Sequence, residues 1–441
     1  MKAGIAKIDI TPPLGAILCG YYHPRYADHV IEPLYATALA FSDGERTALA
    51  ISMDLLKMMQ QDADALRARV AERVGVPVEA VFVACTHTHT GPVVSEDPGF
   101  FPRDPEYYRQ FCENVCRAAE EAVADMKEAT VSIGSNQVEG MTYVRRFRMI
   151  DGTAETNPDY SDPRILHPLG IADKTVQLVK LQRPGAPDIA IVNYGNHPDV
   201  LGRTGICPDF PCYMRDTLEA ALQNEADGMG ARVVFFNGAQ GNISPADKQN
   251  GTRCVGPNMA RHLGRTLAGA VLGMYTFTKP VASDRVFYKQ NIAHVATAKG
   301  TEEQLRIAYQ VQQEYLNQDN PWKWDFEGYP FDVAVARKYI RLEHREPVIP
   351  LNILCVGFGD VVFAGLPGEP FCEIGMKIRE GSPFAMTMPC CNANGSEGYF
   401  PVDEALTENG YEADSALFLP GTAPELIKVS LETLHQLKQE Q

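Results

Sequence analysis

Ala80-Val81-Phe82-Val83-Ala84-Cys85-Thr86-His87-Thr88-His89-Thr90-Gly91-Pro92 is the stretch from which the rest of the chain can be read. Its first six residues form an unbroken apolar run, the signature of a strand buried on both faces. Two imidazoles follow at once, one residue apart, and a Gly-Pro turn closes the segment. In an extended segment, side chains two apart point the same way, so His87 and His89 are expected to face one site. Imidazole nitrogen suits zinc and other borderline metals. Histidine is scarce, 10 in 441 residues. Two within three positions at a strand end therefore favour a metal or catalytic role over two satisfied structural histidines. The His-x-His pattern alone is not specific, because unrelated metallohydrolase folds use it too.

The same grammar repeats on either side. A strand over Gly4 to Ile10 ends at Thr11-Pro12-Pro13, and a second covers Leu34 to Phe41. Asp43-Gly44 turns that strand into Thr47 to Met53. Apolar spacing of Ala63, Leu66, Val70 and Val74 predicts a helix from Gln61 that stops at Gly75. Further helices are expected over Glu106 to Met126, Tyr213 to Gln223, Met259 to Leu272 and Pro424 to Lys438. Strands are expected over Thr175 to Leu181, Ile189 to Tyr194, Arg232 to Phe236, Ile353 to Phe358 and Val361 to Gly365. The pattern is an apolar strand, a loop rich in Gly, Pro, His or Asn, then often a helix. It predicts an α/β fold of layered mixed β-sheets flanked by helices, forming one domain over 1–441. The more polar segment 283–345 reads as a helical insertion. Its Pro321-Trp322-Lys323-Trp324-Asp325-Phe326 stretch suits a lid, an interface or plain surface packing.

In layered α/β proteins, ligand sites gather where strand ends meet loops. Four such junctions carry polar residues here: His87/His89, His197, Gln240 to Ser244, and Glu369. His197 ends an apolar strand before Pro198, as a ligand or a packed histidine. In Asn237-Gly238-Ala239-Gln240-Gly241-Asn242-Ile243-Ser244-Pro245, glycines let backbone N–H groups approach a substrate oxygen and amides can donate to an oxyanion. A tight turn capped by its own amides would look the same. Glu369, between Gly368 and Pro370, is either a rigid ligand or a turn residue.

Composition narrows the field. Hydrophobic residues make up 45% and charged residues 22%, ordinary for a globular protein. The formal charge of -16 repels nucleic acid and anionic membrane surfaces. No run is long and apolar enough to span a bilayer. The N-terminus has no apolar leader, and 11 cysteines, an odd number, read as reduced thiols. A cytoplasmic location is therefore expected, with a small-molecule or lipid-like partner. For the vicinal Cys390-Cys391, packing is the simpler reading.

Taken together the motifs resemble the neutral (non-lysosomal) ceramidase family, specifically its N-terminal catalytic domain. The resemblance rests on Ala6-Lys7-Ile8-Asp9-Ile10-Thr11-Pro12-Pro13 with Gly20-Tyr21, on Thr86 to Pro92, on Val144-Arg145-Arg146, and on Asn196-His197-Pro198. Gly238 to Pro245, Pro367-Gly368-Glu369, and the tail from Gly398-Tyr399 to Tyr411-Glu412 complete it. The motifs run in the family's order from residue 4 to about 412. No counterpart of the family's C-terminal β-sandwich domain is expected. The resemblance implies one zinc held by His87, His197, Glu369 and Tyr399. It implies that His89 contacts substrate, that Tyr411 hydrogen-bonds a developing oxyanion, and that Arg145 orients the substrate. It also implies Ser244 as an active-site serine. Val144 stands where the family often has asparagine, and Asn242 where it commonly has aspartate.

The expected activity is hydrolysis of an amide (N-acyl) bond, on a substrate smaller or more soluble than ceramide. Amide cleavage needs an attacking oxygen, a stabilised oxyanion and a proton for the departing amine. Zinc-activated water or Ser244 could attack; with no base beside Ser244 in sequence, water is favoured. Two rivals remain at this level. The same zinc could act on an ester, phosphoester or glycosidic linkage. A site closed by four protein ligands could instead be non-catalytic.

Overall fold

The computed structural model describes residues 1–95, 102–251, 253–316 and 330–441. Three larger sheets organise these residues. The first runs, in order, Val81–Cys85, Thr47–Met53, Tyr35–Ser42, Lys2–Asp9 and Lys127–Glu128. The second runs Ala231–Asn237, Asp188–Tyr194, Thr175–Gln182, Thr130–Gln137 and Lys279–Pro280. The third runs Val286–Ala296, Val348–Phe358, Val361–Gly365 and Met386–Cys390. The Asp43-Gly44 hairpin forms as expected: Asp43 Oδ1 accepts from the N–H groups of Glu45 and Arg46, and Gly44 takes φ 97°.

Each sheet is antiparallel except for one pair. Thr47–Met53 lies parallel to Val81–Cys85, Asp188–Tyr194 to Ala231–Asn237, and Val361–Gly365 to Met386–Cys390. Parallel neighbours need a long crossover. The helices Gln60–Val74, Phe210–Ala221 and Cys372–Gly381 lie in those three connections. The chain therefore leaves the sheets repeatedly at the C-terminal ends of the parallel strands, which is where loops can converge on a ligand.

The inner faces of the sheets share one core. Phe41 and Phe82 from the first sheet, Ile191 and Phe236 from the second, and Phe358 and Phe363 from the third belong to a single cluster. Ring centroids of Phe236 and Phe363 lie 5.0 Å apart, and those of Phe41 and Phe358 4.9 Å apart. Burying each such ring contributes roughly 1.5–3 kcal/mol. The outer faces are covered by helices. Gln60–Val74 and Pro105–Ala124 pack on the first sheet, Phe210–Ala221 and Pro257–Tyr275 on the second. Cys372–Gly381 and Thr422–Gln439 pack on the third. This is the layered α/β arrangement that the strand-and-helix pattern predicts.

The segment 283–345 differs from the helical insertion expected. Val286–Ala296 pairs along its whole length with Val348–Phe358 and forms an edge of the third sheet. Its Lys289, Gln290 and Asn291 are only partly buried, and an edge strand with one covered face tolerates such residues. The helices Glu302–Leu316 and Pro330–Leu342 follow. The stretch Pro321-Trp322-Lys323-Trp324-Asp325-Phe326 lies outside the described residues. All 11 cysteines are free thiols. Among the described residues, no helix is long and apolar enough to cross a membrane.

Candidate metal centre

The strand ending at Cys85 turns sharply, and His87 takes φ 73°. That left-handed conformation costs a non-glycine residue on the order of 1–2 kcal/mol. The alternation expected of an extended His87-Thr88-His89 therefore does not hold. The turn is pinned by threonines on both sides: Thr86 Oγ1 donates to Asp54 Oδ1 (3.3 Å), and Thr88 and Thr90 both donate to the Cys207 carbonyl (2.6 and 2.7 Å). The two imidazoles still meet, with ring centroids 5.0 Å apart. A turn aims them, where a pleat was expected to.

Each of two buried histidines has one nitrogen fixed by a backbone carbonyl. His87 Nδ1 lies 3.0 Å from the Leu56 carbonyl, and His197 Nδ1 lies 3.0 Å from that of Ile243. A carbonyl only accepts, so both Nδ1 atoms carry hydrogen and both Nε2 atoms are acceptors: that of His87 is without a hydrogen-bond partner among the described residues, and that of His197 accepts from Arg145 Nη1. The Asn392 amide nitrogen also sits 3.1 Å from His87 Nδ1. Turning that amide over satisfies both groups, since Ser396 Oγ on its other side can accept as well as donate. A ring N–H tied to a carbonyl is the arrangement that orients metal-binding histidines.

The carboxylate of Glu369 approaches both Nε2 atoms. Its Oε2 lies 3.2 Å from His87 Nε2 and 3.5 Å from His197 Nε2. Ligands about 2.0–2.1 Å from a tetrahedral zinc stand roughly 3.3–3.4 Å apart. The two Glu369–imidazole separations thus match edges of such a tetrahedron, and the donor set suits a metal of this kind. Burial, then the Arg145 guanidinium, lowers His197 to about 3.

His89 joins the same cluster. Its donor nitrogen lies within 4.8 Å of those of His87 and His197. Both its ring nitrogens are buried and, among the described residues, have no hydrogen-bond partner; Asp199 Oδ1 stands 3.6 Å from Nδ1. Burial, with His87 next, pushes it well below the ordinary imidazole value, so it is neutral at pH 7. Gly20 makes room for it, because a Cβ there would stand 2.7 Å from His89 Nδ1.

Tyr399 arrives as the direct ladder neighbour of Glu369 in a two-residue parallel pairing. Burial, then Glu369, raises its phenol well above the ordinary value, and burial does the same to Tyr411. Their rings lie 5.4 Å apart, and Tyr411 Oη meets Tyr22 Oη at 2.5 Å. Arg145 is a buried hub. It donates to Glu412 (2.7 Å) and the Gly241 carbonyl (2.8 Å), and its Nη1 is 3.1 Å from His197 Nε2. A cation on His197 would take the place of that last contact and leave the other two. Ser244 pairs with Tyr143 in a short ladder, and its Oγ accepts from the Ala246 N–H.

A cleft of about 140 Å³ opens onto His87, His89, Glu369, Tyr399 and Tyr411. Ser244, Arg145 and His197 are not among its lining residues. Three site residues escaped the motifs. Tyr22 stands directly beside the motif residue Tyr21, and Asp199 stands two places after His197. The hydroxyl of Tyr21 donates to the Asp199 carboxylate. Adjacency could have found these two; nothing in the local sequence marks Lys57, which also lines the cleft.

Two solved structures share this fold. Neutral ceramidase from Pseudomonas aeruginosa aligns with all of this chain (100%) and 74% of its own, at a TM-score of 0.75 and 17% identity. A ceramidase complexed with C2 aligns at a TM-score of 0.74 and 17% identity, over 100% of this chain and 75% of its own. The fold is that of the neutral ceramidases. No protein-family model and no curated protein matches the sequence. The ceramidase fold, inferred above from short ordered motifs, is therefore carried by tertiary structure where overall sequence similarity is low.

Proposed function

We propose that this chain is a zinc-dependent hydrolase of a linear N-acyl amide, of ceramidase type. The observation that carries the reading is the approach of Glu369 Oε2 to the Nε2 atoms of two buried imidazoles, at 3.2 and 3.5 Å. In this reading His87, His197 and Glu369 hold the metal, and Tyr399, beside Glu369, supplies the fourth donor. Zinc, when bound, polarises a carbonyl and brings the pKa of water from 15.7 to about 7. Neutral His89 exchanges a proton with the reacting groups and delivers it to the departing nitrogen. The phenol of Tyr411, kept protonated by burial, donates to the amide oxygen as it gains charge. Arg145, tied to Glu412 and Gly241, holds the site's geometry. Ser244 lies away from the cleft lining, which supports water over the serine oxygen as nucleophile. Residues 1–441 act as one catalytic unit, since the proposed ligands span 87 to 399.

The cleft that reaches His87, His89 and Glu369 supports catalysis over a closed structural site. The test pairs metal content with turnover. The protein should cleave an N-acyl amine, lose that activity to a chelator and regain it with zinc. His87→Ala and His197→Ala should each lose about one zinc per chain by elemental analysis, since each removes a ligand. Full zinc in both variants would overturn the ligand assignment. Turnover indifferent to chelation would overturn the mechanism.

A further inference from the structure

Four cationic side chains line the same cleft: Lys57, Arg337, Lys338 and Arg341. Lys57 follows the strand Thr47–Met53, and the other three lie on the helix Pro330–Leu342. Residues 337 and 341, four apart, share one helix face. The lining offers two carboxylates in return, Glu369 and Glu397. Neither forms an ion pair with Lys57, which Glu369 attracts only at a distance. Glu369 is held between His87 and His197. Glu397 is taken by Arg341 (3.0 Å) and Arg345 (2.6 Å). Lys338 Nζ donates to the Asp414 carbonyl (3.1 Å). Among the described residues, Lys57 makes no hydrogen bond or ion pair.

The accumulation runs against composition. The chain carries -16 overall, so a random patch of its surface would be acidic. Burial, then repulsion by Arg337 and Arg341, lowers Lys57 to about 8, which leaves it mostly protonated at neutral pH. A partly buried ammonium without a counter-charge is costly. Seating an anion against it relieves that cost, and like-charged walls focus attraction on the arriving ligand.

We propose that the cleft recognises its substrate by an anionic group — a carboxylate, sulfonate or phosphate — seated against Lys57 with Arg337 and Arg341 flanking it. This deepens the amidase reading and rests on it. The substrate class becomes an N-acyl amide that carries an acid, of which an N-acyl amino acid is the simplest member. Lys57 is then the residue that sets specificity.

The test compares N-octanoylglycine with N-octanoylpropylamine, which share an acyl chain and differ chiefly in the carboxylate. Calorimetric titration of the zinc-loaded protein should show the acid binding about tenfold or more tightly than the neutral amide. Raising salt from about 0.05 to about 0.5 M should shrink that ratio. Lys57→Met should abolish it. Equal binding of the two compounds, no detectable binding of the acid, or a ratio that survives Lys57→Met overturns the proposal. Should Lys57→Met fail to fold, by circular dichroism, the wild-type ratio and its salt dependence decide. Hydrolysis followed in the same samples separates the two readings. Preference without cleavage of either compound refutes the amidase and leaves anion recognition standing; cleavage without preference does the reverse.

Discussion

Gly20→Ala isolates the contribution of His89 without touching any proposed ligand. Gly20 has φ +113°, and a Cβ added there would stand 2.7 Å from His89 Nδ1 and 2.8 Å from its Cβ and Cγ. Ordinary contacts between such atoms are about 3.5–4.0 Å, so the overlap is on the order of 1 Å. The backbone of His89 cannot yield easily: its N–H donates to the Pro198 carbonyl and its carbonyl accepts from Arg25 (2.6 Å). The ring must move by most of the overlap. A displacement of about 1 Å in a catalytic group costs on the order of 100-fold in rate, or about 2.7 kcal/mol in the barrier. The left-handed alanine adds about 1–2 kcal/mol of backbone strain to the folding balance. The expected result is a folded protein with about one zinc per chain and kcat lowered about 100-fold. On a His89→Ala background the same substitution should cost little more, since the two changes act on one group. A folded Gly20→Ala protein with wild-type kcat would refute the role of His89. Loss of zinc would refute the division between ligands and His89, and move His89 into the metal's coordination.

Further outcomes follow from the same geometry. Ser244→Ala should lower turnover modestly, since it removes only the Oγ contact with the Ala246 N–H, and should keep its zinc; turnover reduced as far as by metal removal would reinstate the serine as nucleophile. Arg145→Met should destabilise the protein by about 3–5 kcal/mol in urea, because Glu412 is left buried beside a neutral side chain; a loss under about 1 kcal/mol would show that Arg146 already compensates it. In the metal-free protein the ring signals of His197 should stay at neutral-imidazole positions from about pH 7.5 to 5 by NMR, since its value is lowered to about 3. That shift lies below the ordinary 6.5, so the unfolded chain takes the proton first. The stability His197 contributes is present above pH 6.5 and falls by about 1.4 kcal/mol per unit below it. A titration midpoint near 6.5 would refute the burial of that ring.

Much of the fold was legible because long apolar runs and helical spacing are local signals. The strand Val81–Cys85, the Asp43-Gly44 hairpin and the helix from Gln60 lie within a residue or two of where their patterns place them. The strand Val286–Ala296 was not legible, because its exposed face is polar and its pairing partner begins over fifty residues later. His87 and His89 were read as converging, and their rings do approach. The reason offered, alternation along a strand, fails at His87. The cause is a turn held by Asp54 and the Cys207 carbonyl, neither of which is near in sequence. Lys57 was illegible for a similar reason: its lack of a counter-charge depends on which carboxylates Arg341, Arg345, His87 and His197 have already taken.

The sequence by itself determined most of the apolar strands and which polar side chains wait at their ends. These properties depend on residues within a few positions of one another. Only the tertiary structure decided that Glu369 would stand between two imidazoles, that Tyr399 would become its ladder neighbour, and that Ser244 would lie off the cleft. Those outcomes depend on three sheets packing through one aromatic core. That packing fixes distances between loops far apart in the chain to within a fraction of an ångström, and no local pattern carries that information.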